Sequence, residues 1–302
     1  MDKKTLILVD SSTTLTNKIA KENGIIILPL MVYKSNEKEN KPDTAYLYES
    51  FEMTNEDFLK MSESGDKFKT GATPIGIIEE VIDEQLKNYD QIISLSISKK
   101  WSSQYEHLKG LSNQEKYKDK LFVIDTKEFG YNTEYLALEL RKRINSGIYT
   151  IDELIDFATN FNKYVASFFL CRSFDGLVNS GRIPKIIAKL LKFAKIYPII
   201  KVDDGENKLE GIIKNTIDSN NKIIKSIYKS FDNKLSKNNI LKIGILTACN
   251  SEEYINEVKQ DIMKAFDVSE NLIEIRPAPT IFINIVMRNA ICISVITNKE
   301  KN

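Results

Sequence analysis

The sequence predicts an α/β fold, with an N-terminal parallel-sheet domain flanked by helices and a C-terminal α+β domain. Through the first half, short runs of Ile, Val and Leu alternate with helix-period segments, which is typical of βαβ units. From about Tyr164 the strand-like runs follow one another more closely, as they do in α+β domains. A chain of 302 residues also exceeds what one hydrophobic core usually organises. We therefore expect two domains, at residues 1–163 and 164–302.

The first half is predicted to contain four buried strands joined by helices. The strands are Thr5–Val9, Gly24–Val32, Gln91–Ile97 and Leu121–Ile124. Apolar residues spaced three and four apart predict a helix over Ile75–Leu86. The segment Ser35–Tyr48, with its Lys, Glu and Asn residues, breaks both periodicities and is expected to be an exposed loop. Alternating strands and helices form right-handed crossovers, so we expect the strands to pair in parallel.

The second half is predicted to contain a hairpin, further strands and helices. Asp203-Asp204-Gly205 separates the short strands Tyr197–Val202 and Leu209–Ile213, as a hairpin turn would. A proline in the first turn favours a helix over Pro184–Ala194. The other helices are Thr216–Leu235 and Ser251–Phe266, and the other strands are Val165–Leu170, Ile240–Leu246, Leu272–Ile275, Thr280–Val286 and Ile291–Ile296.

Charge and hydropathy exclude some classes of function. With 43 basic and 42 acidic residues, the chain has no net field to attract nucleic acid or an anionic membrane, so we expect no nucleic-acid partner. No apolar stretch reaches the roughly 18 residues of a transmembrane helix. The apolar run that follows Lys4 is too short for a signal peptide. We therefore expect a cytoplasmic protein without a transmembrane segment.

Metal and nucleophile chemistry have little support in the sequence. Cys171, Cys249 and Cys292 are far apart in apolar runs, which indicates reduced core thiols. His107 is the only histidine, and its charged neighbours place it on a helix surface. A His-rich metal site is therefore excluded, and a nucleophile with a histidine base could be assembled only around His107. With no glycine-rich phosphate loop either, we expect no metal and no cofactor.

Three hydroxyl-rich segments lie where a strand pattern gives way to a helix pattern. They are Ser11–Thr14, Thr70–Thr73, and Ser98 with Ser102 and Ser103. Such residues are first of all helix N-caps, but a cap needs one acceptor and the first segment offers four hydroxyls. Carboxyl ends of strands meet at one edge of an open sheet, so the surplus predicts a site for a carboxylate or phosphate there. The candidate ligand-binding residues are therefore hydroxyls of these segments, with Ser11 in the first of them.

Two charged residues leave alternatives open. Arg182, between Gly181 and Ile183, is either a surface residue or a guanidinium that serves an anionic head group. Asp10 follows a strand, as in Mg²⁺-dependent enzymes that form an aspartyl phosphate. Those enzymes normally carry a second acidic residue two positions on, and Ser12 stands there. Phosphoryl transfer by Asp10 is therefore the rival hypothesis.

Five motifs in a fixed order carry a family resemblance. They are Val9–Leu15, Ile26–Leu30, Thr70–Pro74, Ile97–Tyr105 and Leu177–Ile183. Together they resemble the DegV family of fatty-acid-binding proteins over nearly the whole chain. The third motif preserves only its first Thr, and the fourth matches at Ile97, Ser98, Ser102 and Tyr105.

The resemblance implies a lipid-binding protein without catalytic activity of its own. One fatty acyl chain would lie between the two domains, with its carboxylate on rim hydroxyls. Thr70 and Ser102 would contact the carboxylate, Ser98 would shape the same loop, and Arg182 would join the network around the head group. Family members of the fatty-acid-kinase system present the carboxylate to a separate kinase subunit, which forms an acyl phosphate. A fatty acid and such a kinase subunit are thus the implied partners.

The chain departs from the family near its carboxyl end. The family usually shows a His followed by Gly-Pro-Gly, whereas Thr280–Val286 has Phe282 near the expected His and no glycine. This departure favours a divergent binder that is a poor subunit for the phosphorylation step. An interaction protein that has lost its ligand is the third hypothesis.

Overall fold

The computed structural model describes residues 3–35, 47–49, 54–171, 196–214 and 219–301. Strands are numbered in chain order: β1 Thr5–Asp10, β2 Ile25–Leu28, β3 Met31–Ser35, β4 Leu47–Glu49, β5 Lys67–Gly71, β6 Gln91–Ser96, β7 Leu121–Asp125, β8 Val165–Leu170, β9 Tyr197–Asp203, β10 Glu206–Ile213, β11 Ile240–Thr247, β12 Ile273–Pro277 and β13 Ile291–Thr297. Helices are α1 Asn17–Glu22, α2 Asn55–Glu63, α3 Ile75–Gln85, α4 Gln104–Ser112, α5 Tyr131–Ser146, α6 Ile151–Asn160, α7 Ser219–Ser230, α8 Glu252–Phe266 and α9 Thr280–Val286.

The chain divides into two compact units. The first comprises the described residues within Met1–Met53 and Lys67–Phe161, and the second those within Thr54–Asp66 and Asn162–Asn302. Helix α2 therefore belongs to the second unit, although it lies in the first half of the chain. Each unit is therefore formed from two separate segments of the chain.

The first unit is built on a four-stranded parallel sheet in the order β2-β1-β6-β7. All six residues of β1 and of β6 are buried, as expected for strands covered on both faces. Leu6 and Leu8 share one face of β1 and pack with Ile78 of α3 and Leu108 of α4. Helix α5 packs against β1 and α6 against β7. The predicted parallel sheet with flanking helices is confirmed.

The run Gly24–Val32 is two strands in two sheets, so its prediction as one strand was wrong. Pro29 interrupts the run because proline has no backbone N–H to continue the ladder. After it, β3 pairs antiparallel with β4 and β5 in a separate three-stranded sheet. The predicted loop Ser35–Tyr48 was also wrong at its ends, because β3 includes Ser35 and β4 begins at Leu47; residues 36–46 lie outside the described chain.

The second unit is built on a mixed six-stranded sheet in the order β10-β9-β8-β13-β11-β12. Its predicted hairpin is confirmed, since β9 and β10 pair antiparallel around Asp204 and Gly205, both with positive φ (49° and 78°). Helices α7 and α8 pack their apolar faces, including Ile227 and Ile262, into the core. Helix α7 begins at Ser219 in the described chain, and the predicted helix Pro184–Ala194 lies outside it.

The segment Thr280–Val286 is helix α9, so its prediction as a strand was wrong. Its β-branched and aromatic residues have strand propensity, but tertiary packing overrides propensity in a buried segment. Pro279 stands at the N-cap, and six of the seven residues are buried. Phe282 is 4% exposed and packs edge-to-face against Phe169, with ring centroids 5.3 Å apart. Phe282 is therefore a core residue of the second unit.

Helix α2 is held in the second unit by polar contacts at both of its ends. The Asn55 side chain donates to the carbonyl of Ala278 (2.8 Å) and accepts from the Thr280 hydroxyl (3.0 Å). Arg288 forms ion pairs with Glu56 (2.9 Å) and Glu63 (2.7 Å). The guanidinium holds the pKa of Glu56 below its ordinary value. No helix in the described part of the chain is long and apolar enough to cross a membrane.

Candidate functional site

Asp10 ties together two of the hydroxyl-rich segments. It is the last residue of β1, and its side chain is 1% exposed. One carboxylate oxygen accepts from the backbone N–H (3.1 Å) and hydroxyl (2.5 Å) of Ser12, and the other accepts from the backbone N–H of Ile97 (2.7 Å). Because β1 and β6 are neighbours, this carboxylate joins the segments that follow both strands at one edge of the sheet.

The environment of Asp10 fits an anchor better than a phosphoryl acceptor. Burial raises the pKa of Asp10, although the bonds from Ile97 and Ser12 oppose that rise. Both carboxylate oxygens are already engaged by groups of the protein itself. Among the described residues, no group of three His, Cys, Asp or Glu side chains is placed to hold a metal ion.

Hydroxyls of the first segment form bonds within the protein. Ser11 accepts from the backbone N–H of Leu30 (2.8 Å), and Thr13 accepts from that of Leu15 (3.3 Å). Thr14 donates to the Glu134 carboxylate (2.5 Å), and Ser12 donates to Asp10, as described above. The surplus of hydroxyls in this segment is thus explained by structural bonds, and no ligand is needed to account for it.

The third segment is a tight turn between β6 and α4. The Ser98 carbonyl accepts from the backbone N–H groups of Trp101 (2.9 Å) and Ser102 (3.2 Å), and the Ser98 hydroxyl accepts from that of Lys100 (3.2 Å). Ser98 is 1% exposed, so it shapes the turn from inside. The Ser102 hydroxyl accepts from the backbone N–H of Gln104 (3.2 Å) and keeps its own proton for another acceptor.

Thr70 lies on a strand instead of in a loop. It belongs to β5, opposite the buried Val32 of β3, and is itself half-buried. In the part of the chain that the structure describes, its hydroxyl forms no hydrogen bond. The weak alternation of Lys67–Gly71 gave no strand prediction, because only one of its five residues is strongly apolar.

Thr73 connects the second hydroxyl-rich segment, Thr70–Thr73, to the parts of the chain that adjoin the other two segments. Its backbone N–H donates to the side-chain oxygen of Gln104 (2.9 Å), and its hydroxyl donates to the Pro29 carbonyl (2.7 Å). Its carbonyl lies 3.1 Å from Nδ1 of His107, one turn further along α4. His107 is half-buried, so its predicted place on a helix surface is only partly right, and this contact anchors the segment. The three hydroxyl-rich segments therefore meet at one edge of the sheet.

Among the predicted site residues, Thr70 and Ser102 offer hydroxyl protons, while Ser11 and Ser98 are engaged in shaping the edge. Arg182 lies outside the described residues. Gln104 was not predicted as a site residue. The only signal for it was its position one helical turn before His107 on the face that holds Thr73.

Gly130 joins the first segment to the start of α5. Its backbone N–H donates to the Ser12 carbonyl (2.7 Å), and its carbonyl accepts from the N–H of Thr14 (3.3 Å). Its backbone angles, φ 61° and ψ −131°, lie in a region that is essentially restricted to glycine.

We expect Gly130→Ala to lower the free energy of unfolding by about 1–3 kcal/mol, because a Cβ is strained at those angles. Gly110→Ala is the matched control: Gly110 lies inside α4 with nothing near the added Cβ, so alanine should be neutral or stabilising by about 0.5–1 kcal/mol. Urea denaturation measures both. A Gly130 variant as stable as the parent would contradict the strain argument.

The chain is similar to known proteins over nearly its whole length. A family model described as "Uncharacterised protein, DegV family" matches residues 4–298. A DegV domain-containing protein of Ureaplasma parvum is 37% identical over 301 residues, which cover 100% of this chain and 98% of that protein.

Two solved structures have the same fold. The first is a DegV family protein of Thermus thermophilus described by its fatty-acid binding (TM-score 0.82, 15% identity, 97% of this chain and 99% of that one). The second is the fatty acid kinase B3 protein of Streptococcus pneumoniae, loaded with linoleic acid (TM-score 0.74, 15% identity, 98% and 100%). At these identities the likeness establishes the fold.

Proposed function

The chain belongs to the DegV family, and from that premise we propose that it binds one long-chain fatty acid through its carboxylate. The observation that carries the proposal is the pair of donatable hydroxyl protons, on Thr70 and Ser102, at an edge where three segments meet. Hydroxyls bind an oxyanion without burying a second full charge, which suits a ligand whose remainder is apolar. The two solved neighbours, one described by its fatty-acid binding and the other loaded with linoleic acid, support the same ligand class.

The direct test is to identify what the purified protein carries. Lipid extraction followed by mass spectrometry should recover one acyl chain per protein, and the delipidated protein should bind oleic acid in calorimetry. Absence of both would reject the proposal. Metal-dependent phosphatase activity without bound lipid would favour phosphoryl transfer by Asp10, and neither lipid nor activity would favour an interaction protein.

We further propose that this chain has no catalytic activity of its own and presents the bound fatty acid to a separate fatty-acid kinase, less effectively than family members that keep a His near the position of Phe282. The neighbour described as a fatty acid kinase B3 protein is the observation that favours this role. Cys171, Cys249 and Cys292 form no disulfide in the part of the chain that the structure describes, which suits a reducing compartment, and we propose a cytoplasmic location.

Arg182 tests the kinase role. Arg182→Lys keeps the charge but removes the planar guanidinium, so a networked role predicts at least about a tenfold loss of acyl-phosphate formation with a partner kinase. Arg143→Lys is the control, because Arg143 packs on Phe157 in the first unit, far along the chain from every proposed site residue. If the Arg182→Lys variant matches the parent in both binding and phosphorylation, Arg182 is only a surface charge.

A further inference from the structure

Gln104 carries a buried amide whose orientation is fixed by its neighbour. It is the first residue of α4, and its side chain is 0% exposed. The side-chain atom that faces the backbone N–H of Thr73 must be the oxygen, because an N–H group can only donate. The other end of the amide is therefore the NH₂ group, which can only donate.

That NH₂ group has no hydrogen-bond partner in the described part of the chain. Buried polar groups are nearly always paired in folded proteins, so a buried donor of this kind calls for an acceptor other than the groups of the described residues. A polar ligand is one source of such an acceptor.

The position of Gln104 favours a ligand at the proposed carboxylate site. Its backbone N–H donates to the Ser102 hydroxyl (3.2 Å), and its side chain holds Thr73, three residues after Thr70. Gln104 thus contacts both segments whose hydroxyl protons are available, one through its backbone N–H and the other through its side-chain oxygen. A carboxylate bound where these two segments meet is therefore the acceptor that we consider for this NH₂ group.

We infer that the Gln104 NH₂ group is a further head-group donor, which binds a carboxylate oxygen of the fatty acid. The inference rests on the proposed function, because it needs an acyl ligand at this edge. A neutral donor bound to an ionised acceptor forms a stronger hydrogen bond than one bound to a neutral acceptor. Gln104 therefore contributes to the preference for a fatty acid over the corresponding alcohol.

Gln104→Glu is the sharpest test, because Glu has the same shape and keeps an oxygen for the Thr73 N–H but replaces the donor by an acceptor. At pH 8, its affinity for oleic acid should fall at least about tenfold, while its affinity for oleyl alcohol should fall much less. Thr73→Val is the matched control. It removes the bond to Pro29 and loosens the same segment, but it leaves the amide in place, so it should change both affinities alike.

The outcomes separate the two proposals. A parent protein that binds neither lipid rejects the proposed function and this inference with it. A parent that binds oleic acid, with a Gln104→Glu variant that loses both lipids equally or neither, rejects only the role of Gln104 as a donor. If the variant does not fold, the side-chain NH₂ resonances of Gln104 in the parent decide: they should shift when oleic acid is added, and unmoved resonances overturn the inference.

Discussion

Asp10→Asn is expected to lower the free energy of unfolding by about 3 kcal/mol at neutral pH. Asparagine has one side-chain oxygen, so it can serve either the Ser12 groups or the backbone N–H of Ile97, but not both. Its NH₂ group would then face a buried N–H donor, and that donor would lose its partner in a place that water does not reach. Urea denaturation of the two proteins measures the difference.

Asp125→Asn is the matched control, since Asp125 ends the parallel strand β7 as Asp10 ends β1. The backbone N–H groups of Lys99 (3.3 Å) and Lys127 (3.2 Å) both donate to the same side-chain oxygen of Asp125. Asparagine keeps one such oxygen, so both hydrogen bonds can remain. We expect less than about 1 kcal/mol of destabilisation for this control. Equal effects of the two substitutions would refute the anchoring role of Asp10.

The contribution of Asp10 to the free energy of unfolding decreases as the pH rises, whereas that of an exposed, ion-paired carboxylate increases. Burial raises the pKa of Asp10 above its ordinary value of 3.8, so the folded state binds this proton more tightly than the unfolded state. The stabilisation from that proton is fully present below pH 3.8 and is lost as the pH rises through the folded-state pKa. The difference in unfolding free energy between the parent and the Asp10→Asn variant should therefore be larger near about pH 4 than at about pH 7.

Removing both available hydroxyls is expected to have the largest effect on ligand binding. Each hydrogen bond to a charged acceptor contributes roughly 1.5–3 kcal/mol, so Thr70→Ala with Ser102→Ala should weaken oleic acid binding at least about a hundredfold. The single variants should each lose about ten- to hundredfold. Folding should be largely preserved, because neither hydroxyl donates to another described residue.

Ser112→Ala provides the comparison for these binding measurements. Ser112 is the last residue of α4, and its hydroxyl donates only to the carbonyl of Lys109 within the same helix. Its affinity for oleic acid should equal that of the parent. Unchanged affinity in the double variant would remove Thr70 and Ser102 from the site.

The sheet core and the edge that gathers the hydroxyls could be predicted from sequence because their signals are local. Strands such as β1 and β6 are continuous apolar runs, and a parallel sheet puts their carboxyl ends at the same edge. The two motifs that contain Thr70 and Ser102, and that resemble the DegV family, belong to the segments at that same edge.

Other features depend on contacts between distant residues, which local patterns do not encode. The residues of α9 have strand propensity, yet burial against α2 and Phe169 stabilises a helix. Strand β5 alternates too weakly to be recognised without its partner β3. The four hydroxyls of Ser11–Thr14 looked like a surplus because their acceptors and donors, such as Glu134 and Leu30, come from elsewhere in the chain.

The attachment of α2 also sets an order of events during synthesis. Its bonding partners, Ala278, Thr280 and Arg288, follow it by 223 to 232 residues. At roughly 5–20 residues per second, a ribosome needs on the order of ten to forty-five seconds to make that stretch. Throughout that interval the Arg288 ion pairs cannot form, however stable they are in the finished protein. The helix that runs directly into the strand of Thr70 is thus made early and reaches its final contacts late.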